Sequence, residues 1–311
     1  MKNIKQKIVP CLWFDTEAEE AVKFYTSIFE NSKINSQVRY PGAGQEIHQM
    51  GAGSIMTIDF ELEGYELLAL NGGPHFKHNP AISLFVMCRN ESEINRLWNQ
   101  LLEGGNVMMP LEAYDWSPAY GWLQDRYGLS WQLALDDTEY SPEQRICPLL
   151  FFTGTSHGKA EEAIKFYTSV FEDSRIEGIQ KYEKEDDNSY APGAVKHAHF
   201  QLRGETFMVM DSGMENNFPF SEAISLIVMC KDQQEIDKYW EQLTEGGDPQ
   251  AQQCGWLKDK FGISWQVTPA GMEGLLGSSD KEKANRAMEA MMHMKKINLD
   301  ELKNPAQKSR F

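Results

Sequence analysis

The sequence predicts an α+β protein in which one β-α-β-β-β unit is used four times, as two tandem copies followed by a C-terminal helix. Three recurrences carry that prediction. EEAVKFYTSIFENSKI (19–34) returns as EEAIKFYTSVFEDSRI (161–176), differing only at Val22/Ile164, Ile28/Val170, Asn31/Asp173 and Lys33/Arg175. AISLFVMC (81–88) returns as AISLIVMC (223–230), and GWLQDRYGLSWQL (121–133) as GWLKDKFGISWQV (255–267). The period is about 140 residues, far beyond a solenoid unit, so these are duplicated domains rather than a repeat array. The first copy spans 1–136, a polar, turn-rich linker 137–145, the second copy 146–270, and a helical extension 271–311.

Within the first copy, the apolar run Ile8–Phe14 is too short for a helix and reads as a buried strand. Thr16 and Glu19 have capping-box spacing, and Ala18, Ala21, Val22, Tyr25, Ile28 and Phe29 then share one helical face. A strand near 34–40 leads into the turn Pro41-Gly42-Ala43-Gly44. Met56, Ile58, Phe60 and Leu62 alternate as a half-buried strand, and Gly64 turns the chain into another over 65–70. The pattern then restarts. Ala81–Cys88 is a buried strand, and Asn90 can cap a helix with Ile94, Leu97, Trp98 and Leu101 on one face, ended by Gly104-Gly105. Strands follow near 106–110, 119–125 and 129–135. The second copy repeats this order from Ile146 to Val267, with helices carrying Ala163, Ile164, Tyr167, Val170 and Phe171, then Ile236, Tyr239, Trp240 and Leu243. In the extension, Ser279 and Glu282 form a capping box before Ala284, Ala287, Met288, Met291 and Met294, an amphipathic helix expected to pack against its own domains.

Composition narrows the function classes. The net charge of −16 argues against a nucleic-acid backbone or an anionic membrane as partner. Five cysteines, an odd number lying mostly in strand-like runs, fit reduced thiols and a cytoplasmic protein better than a disulfide framework. No stretch reaches membrane-spanning length.

The four β-α-β-β-β units, together with FDTEAEEAVKFYTSIF, NGGPHFKHNPAISLF and GWLQDRYGLSWQL, resemble the PhnB-like branch of the vicinal oxygen chelate superfamily, which includes glyoxalase I, extradiol dioxygenases and bleomycin-binding proteins. The resemblance implies a glyoxalase-like fold of two paired, barrel-like curved sheets, each enclosing a cavity. It also implies a divalent metal held by side chains from the first and last strands of each module. This chain keeps few such donors: Gln132 and Gln266 stand where the family often has Glu, Ser83 and Ser225 on the middle strands, and Asn71 and its match Asp211 at strand ends. A lone neutral amide does not hold a divalent ion, so no metal cofactor is expected, with a divalent metal as the alternative. The two glutamines suit either an amide satisfied by the opposite strand or a hydrogen bond to a ligand.

Trp122 and Trp256 offer flat apolar surface to a ligand or to the core. Cys254 has no evident activating base and reads as an inert pocket-lining thiol. His197 and His199 share one strand face, which suits two-thirds of a metal site, but a surface-facing pair is the expectation. His75 and His78 are expected in a solvated loop. About eight extra residues in 111–120, with Tyr114, Trp116 and Tyr120, suggest an aromatic loop over one cavity. Members of the family often carry the label 3-demethylubiquinone-9 3-methyltransferase, yet no glycine-rich strand-to-helix turn for a nucleoside cofactor is present in the sequence. The expectation is therefore a pseudo-dimer in one chain that binds a small organic molecule at Asn71, Ser83, Trp122, Gln132, Asp211, Ser225, Cys254, Trp256 and Gln266. Further self-association, and an alternative role as a metal-dependent lyase, isomerase or dioxygenase, stay open.

Overall fold

A computed structural model describes residues 4–135, 144–183, 192–212 and 217–304; most of the linker 137–145 lies outside the described residues. The first module holds β1 (Ile8–Phe14), α1 (Ala18–Ile28), β2 (Lys33–Arg39), a short α2 (Gln45–His48), β3 (Ile55–Leu62) and β4 (Tyr65–Asn71). The second holds β5 (Ile82–Cys88), α3 (Glu91–Leu102), β6 (Asn106–Tyr114), β7 (Ser117–Gln124) and β8 (Ser130–Leu135). The third holds β9 (Ile146–Phe152), α4 (Ala160–Val170), β10 (Arg175–Lys181), β11 (Val195–Leu202) and β12 (Glu205–Asp211). The fourth holds β13 (Ile224–Cys230), α5 (Gln233–Thr244), β14 (Asp248–Gln253), β15 (Trp256–Lys258) and β16 (Ser264–Pro269). The extension adds α6 (Met272–Leu276), α7 (Lys281–Met292) and α8 (Leu299–Lys303).

The modules pair across the copies, not within them. Sheet I runs β14-β15-β16-β13-β1-β4-β3-β2 and joins the first module to the fourth; sheet II runs β10-β11-β12-β9-β5-β8-β7-β6 and joins the third to the second. The joints are antiparallel, β1 on β13 with Cys11 opposite Ser225, and β5 on β9 with Ser83 opposite Leu149.

Period-2 alternation sends one set of side chains from each sheet into a single shared core. Ile8, Leu12, Phe14, Ile58, Phe60, Leu84, Trp131, Ile224, Leu226 and Trp265 all belong to it, with α1, α3, α4 and α5. The helices lie between the sheets. Tyr25 of α1 donates to Asp125, before β8 of the other sheet (2.7 Å), and Phe29 stacks on Trp131 at 5.4 Å. The second copy repeats this with Tyr167 to Asp259 (2.6 Å) and Phe171 on Trp265 at 5.5 Å. The faces turned away from the helices, called outward below, carry two separate buried apolar clusters, one around Val9, Cys11 and Ile227, the other around Trp122, Leu149 and Phe151.

Three local expectations are corrected. The Thr16/Glu19 capping box does not form: α1 begins after Glu17 with no side-chain cap, and Ala18 N–H donates instead to Asn71 Oδ1 at 2.9 Å. In the extension the cap is Asp280, which accepts from Lys283 N–H, one residue later than predicted. The segment 111–120 is not an irregular loop: it lengthens the β6–β7 hairpin, with Tyr114 opposite Ser117 and Trp116 in the turn.

Candidate functional site

The outward face of sheet II is built from every second residue of its strands. Ser83, Phe85 and Met87 come from β5, Tyr120 and Trp122 from β7, Ser130 and Gln132 from β8, Cys147, Leu149 and Phe151 from β9, and Met208 and Met210 from β12, because their neighbours in sequence belong to the helix-side core. Its polar floor is a chain of neutral groups. Tyr120 Oη donates to Gln132 Oε1 (2.7 Å), Gln132 Nε2 to Ser83 Oγ (3.3 Å), Ser83 and Ser130 hydroxyls lie 2.9 Å apart, and Trp122 Nε1 donates to Ser130 Oγ (2.8 Å). Trp122 also meets Phe151 edge-on at 5.5 Å. The amide of Gln132 is thus satisfied within its own module, yet a carboxamide has a second N–H and a second lone pair to offer. Above it stands the hairpin. Tyr114 stacks on Trp116 at 4.8 Å and meets Tyr120 edge-on at 5.7 Å, while Trp116 is 63% exposed.

The matching face of sheet I differs. Gln266 Nε2 donates to Ser225 Oγ (2.9 Å), beside Cys11, whose thiol burial pushes up to about 12. Trp256 meets Trp13 edge-on at 6.1 Å, and Trp13 Nε1 donates to Gly73 O (2.7 Å). The extension bridges the two ends of this sheet. Gly277 lies against Val38 on terminal strand β2, Asn285 accepts from Ala43 N–H (3.0 Å), and Met294 O and Lys295 O accept from Cys254 and Gly255 N–H in the β14–β15 turn (2.7 Å each). Met292 by itself lies beside Gly44, where an added methyl group would meet it at 3.5 Å, and beside the Cys254 sulfur, 3.9 Å from its own. A flat sheet of eight strands would hold its ends about 34 Å apart. One methionine meeting the residues beyond both terminal strands therefore means that sheet I is rolled.

The predicted site residues separate accordingly. Ser83, Trp122 and Gln132 gather on sheet II; Ser225, Trp256 and Gln266 gather on sheet I. Cys254 sits in the turn with φ +56°, under Met292, its thiol raised to about 11 by burial. Asn71 and Asp211 do not line either outward face. Asn71 holds the start of α1, and Asp211 accepts from Gly158 N–H (2.7 Å) and Ala160 N–H (3.4 Å) at the start of α4 and from Val195 N–H (2.9 Å). Both are distant caps, a role that local sequence spacing does not reveal. His78 is not in a solvated loop: its ring meets Phe14 edge-on at 5.3 Å and burial lowers its pKa to about 4, whereas His75 is exposed. Tyr120, the direct partner of Gln132, was legible only as part of the aromatic run.

His197 and His199 lie on the outward face of sheet II, partly buried, with Nε2 atoms 3.2 Å apart. Burial lowers both, His197 to about 4 with its neighbour's help.

The ion implied by the resemblance would sit where first and last module strands meet. Those positions offer Val9, Cys11, Leu68, Leu70, Ser225 and Gln266 on sheet I, and Ser83, Gln132, Cys147, Leu149, Met208 and Met210 on sheet II. Each set includes one buried thiol, Cys11 or Cys147, raised to about 12 by burial, and one thiol falls short of the three or four donors a stable site needs. Hydroxyls, amides and thiols do not fit a divalent ion there, and among the described residues no group of three His, Cys, Asp or Glu is placed to hold one. Two surface hollows, one between Asn79, Ala81, Ser221 and Ala223 and one beside Lys231, Glu235 and Tyr239, lie off both outward faces.

Comparison with known proteins agrees with the duplication. The family model for 3-demethylubiquinone-9 3-methyltransferase matches residues 6–134 and again 144–268. A PhnB protein from Bacillus cereus is 40% identical, over 42% of this chain and 100% of that one, with a TM-score of 0.39. A protein from Pseudomonas aeruginosa is 24% identical over 42% of this chain and 98% of that one (TM-score 0.36). Glyoxalase I from Zea mays is 12% identical over 92% of this chain and 95% of that one (TM-score 0.47). Among curated proteins none matches. No helix of the described residues is long and apolar enough to cross a membrane.

Proposed function

We propose, for a chain that belongs twice over to the 3-demethylubiquinone-9 3-methyltransferase family, that the outward face of sheet II binds one small, uncharged organic molecule with a flat apolar group. Sheet I, in this reading, is the pairing partner whose ends the extension ties together. The observation that carries the reading is the pairing of a neutral hydrogen-bonding floor, Gln132 with Ser83, Ser130 and Tyr120, with an aromatic and thioether wall of Trp122, Phe151 and Met208. Such a lining fits ligand sites, which are mostly apolar with a few placed polar groups. The face is filled by its own side chains, so the β6–β7 hairpin moves for a ligand to enter, and exposed Trp116 stacked on Tyr114 is the part free to do so. The two copies at 1–136 and 146–270, the linker 137–145 and the extension 271–311 then act as one unit in a reducing cytoplasm.

No reaction is attached to this site. Its test is native mass spectrometry of freshly purified protein, followed by titration with a panel of uncharged aromatic compounds read by tryptophan fluorescence. One molecule per chain is expected, with affinity falling at least about tenfold in Trp122→Ala and unchanged in Trp256→Ala. Binding that survives Trp122→Ala and disappears in Trp256→Ala would move the site to sheet I and sink the reading, as would no binding across the panel.

A further inference from the structure

We propose that His197 and His199 form a binding site for a divalent transition-metal ion of the zinc, nickel and copper class, on the outward face of sheet II and away from the module joints. Alternation along β11 puts both imidazoles on one side, while Ala198 and Phe200 are buried in the helix-side core. Their Nε2 atoms are 3.2 Å apart, within hydrogen-bond distance, and their rings cross at 74°. Two imidazole nitrogens each about 2.0–2.1 Å from a shared ion stand roughly 2.9 Å apart at a right angle and roughly 3.4 Å apart at the tetrahedral angle. The observed separation falls between these limits, so an ion can replace the shared proton with the rings turning and no change in their spacing.

There is also room for the rest of a coordination shell. The residue opposite His199 on β10 is Gly178, and a methyl group added there would meet no atom within 4 Å. Glu177, at the bulge next to Gly178, bears electrostatically on His199 while bonded to Arg175 (3.0 Å). The first copy differs at the matching corner. Its corresponding corner has Thr57 and Asp59 for the histidines and Ser36 for Gly178, and the Ser36 hydroxyl is bonded to Asp59. Where the first copy has a closed hydroxyl–carboxylate pair, the second has two nitrogen donors beside open space. Imidazole donors select zinc, nickel and copper over magnesium or calcium, and the two protein donors leave the remaining positions to water.

The site adjoins the proposed ligand wall, since His199 pairs with Met208, but it rests on the two imidazoles and not on that reading, and its test needs no activity. Full-length protein, dialysed against a chelator, is titrated with Zn²⁺ in competition with a chromophoric chelator, and Cu²⁺ loading is read by electron paramagnetic resonance. One ion per chain is expected, with nitrogen hyperfine structure on copper. His197→Gln and His199→Gln should each weaken zinc at least about tenfold at unchanged melting temperature, Glu177→Gln only about two- to threefold, and His293→Gln, at the exposed end of α7, not at all. Equal binding by H197Q, H199Q and the unmodified chain, or no retained ion at micromolar concentration, overturns the proposal and leaves the pair as a hydrogen bond between two rings.

Discussion

Around the inter-sheet Tyr–Asp–Trp contacts, sheets I and II meet the helix layer with the same residues in the same places, while their opposite faces carry different ones. On the inner side, Tyr25, Phe29, Asp125 and Trp131 are matched by Tyr167, Phe171, Asp259 and Trp265, down to the 2.8 Å bond from each tryptophan Nε1 to its aspartate. On the outer side, Tyr120 is matched by Cys254, and Thr57 and Asp59 by His197 and His199. One sheet carries a long hairpin, the other a short β15 and a tail across its ends. Inner positions answer to packing, which tolerates little change; outer positions are free to diverge. The contrast teaches where to look for function in a duplicated chain: at the sites where duplicates disagree on a face that the fold leaves alone.

The comparison is broken most severely if the inner sides are not equivalent. Trp131→Ala and Trp265→Ala each remove a fully buried indole and its bond to a buried carboxylate, and each should cost about 3–5 kcal/mol by denaturant unfolding. A difference above about 1.5 kcal/mol between them would show that the two sheets do not share one core. Tyr25→Phe and Tyr167→Phe sharpen the same point. Each leaves an aspartate oxygen with one donor fewer and should cost about 1–3 kcal/mol, again in equal measure.

Equivalence fails at several inner positions, among them Ile58 against Ala198, Leu97 against Tyr239, and Tyr65, whose place Glu205 takes. Glu205 is buried and accepts from Lys7 N–H (2.5 Å) and Ile8 N–H (3.1 Å), and burial raises it to about 8. A carboxyl raised in the folded state binds its proton more tightly there than in the unfolded chain. Its contribution is therefore fully present below the unfolded value near 4.5 and is lost as pH climbs to about 8. Thermal melts between pH 5 and 8 should show stability falling with pH, by up to about 1 kcal/mol per unit, and Glu205→Gln should flatten that slope. An unchanged slope in the variant would assign the dependence elsewhere.

Much of the inner side was legible in the sequence because packing writes periodicity: the period-2 strands, the helical faces and the Asn90 cap all came from local pattern. The pairing of modules did not. The first strands IVPCLWF and ICPLLFF are so alike that either could accept either partner, and only the assembled sheets distinguish them. Asn71 and Asp211 escaped for a related reason, since each caps a helix more than 50 residues away. Gln132 and Ser83 were found because the family resemblance points to their strand positions, and Trp122 because it offers a flat apolar ring, whereas the facing of the His197–His199 pair could have been read from Ala198, Phe200 and Leu202 filling the other side of β11.

The finest separation concerns the two outer attachments. Met292→Ala in the tail removes the side chain that lies beside Gly44 and meets Cys254, and should cost about 1–2 kcal/mol while leaving ligand and metal binding on sheet II unchanged. Trp116→Ala at the hairpin tip removes an exposed ring and should change stability by less than about 0.5 kcal/mol. It should nevertheless alter ligand association, because the ring rests on Tyr114, which in turn meets Tyr120 above Gln132. The opposite result, a tail variant that changes ligand binding and a hairpin variant that changes only stability, would exchange the roles of the two sheets. The reason to expect the first outcome is geometric: the tail is fastened at both ends of a rolled sheet, and the hairpin is fastened at one.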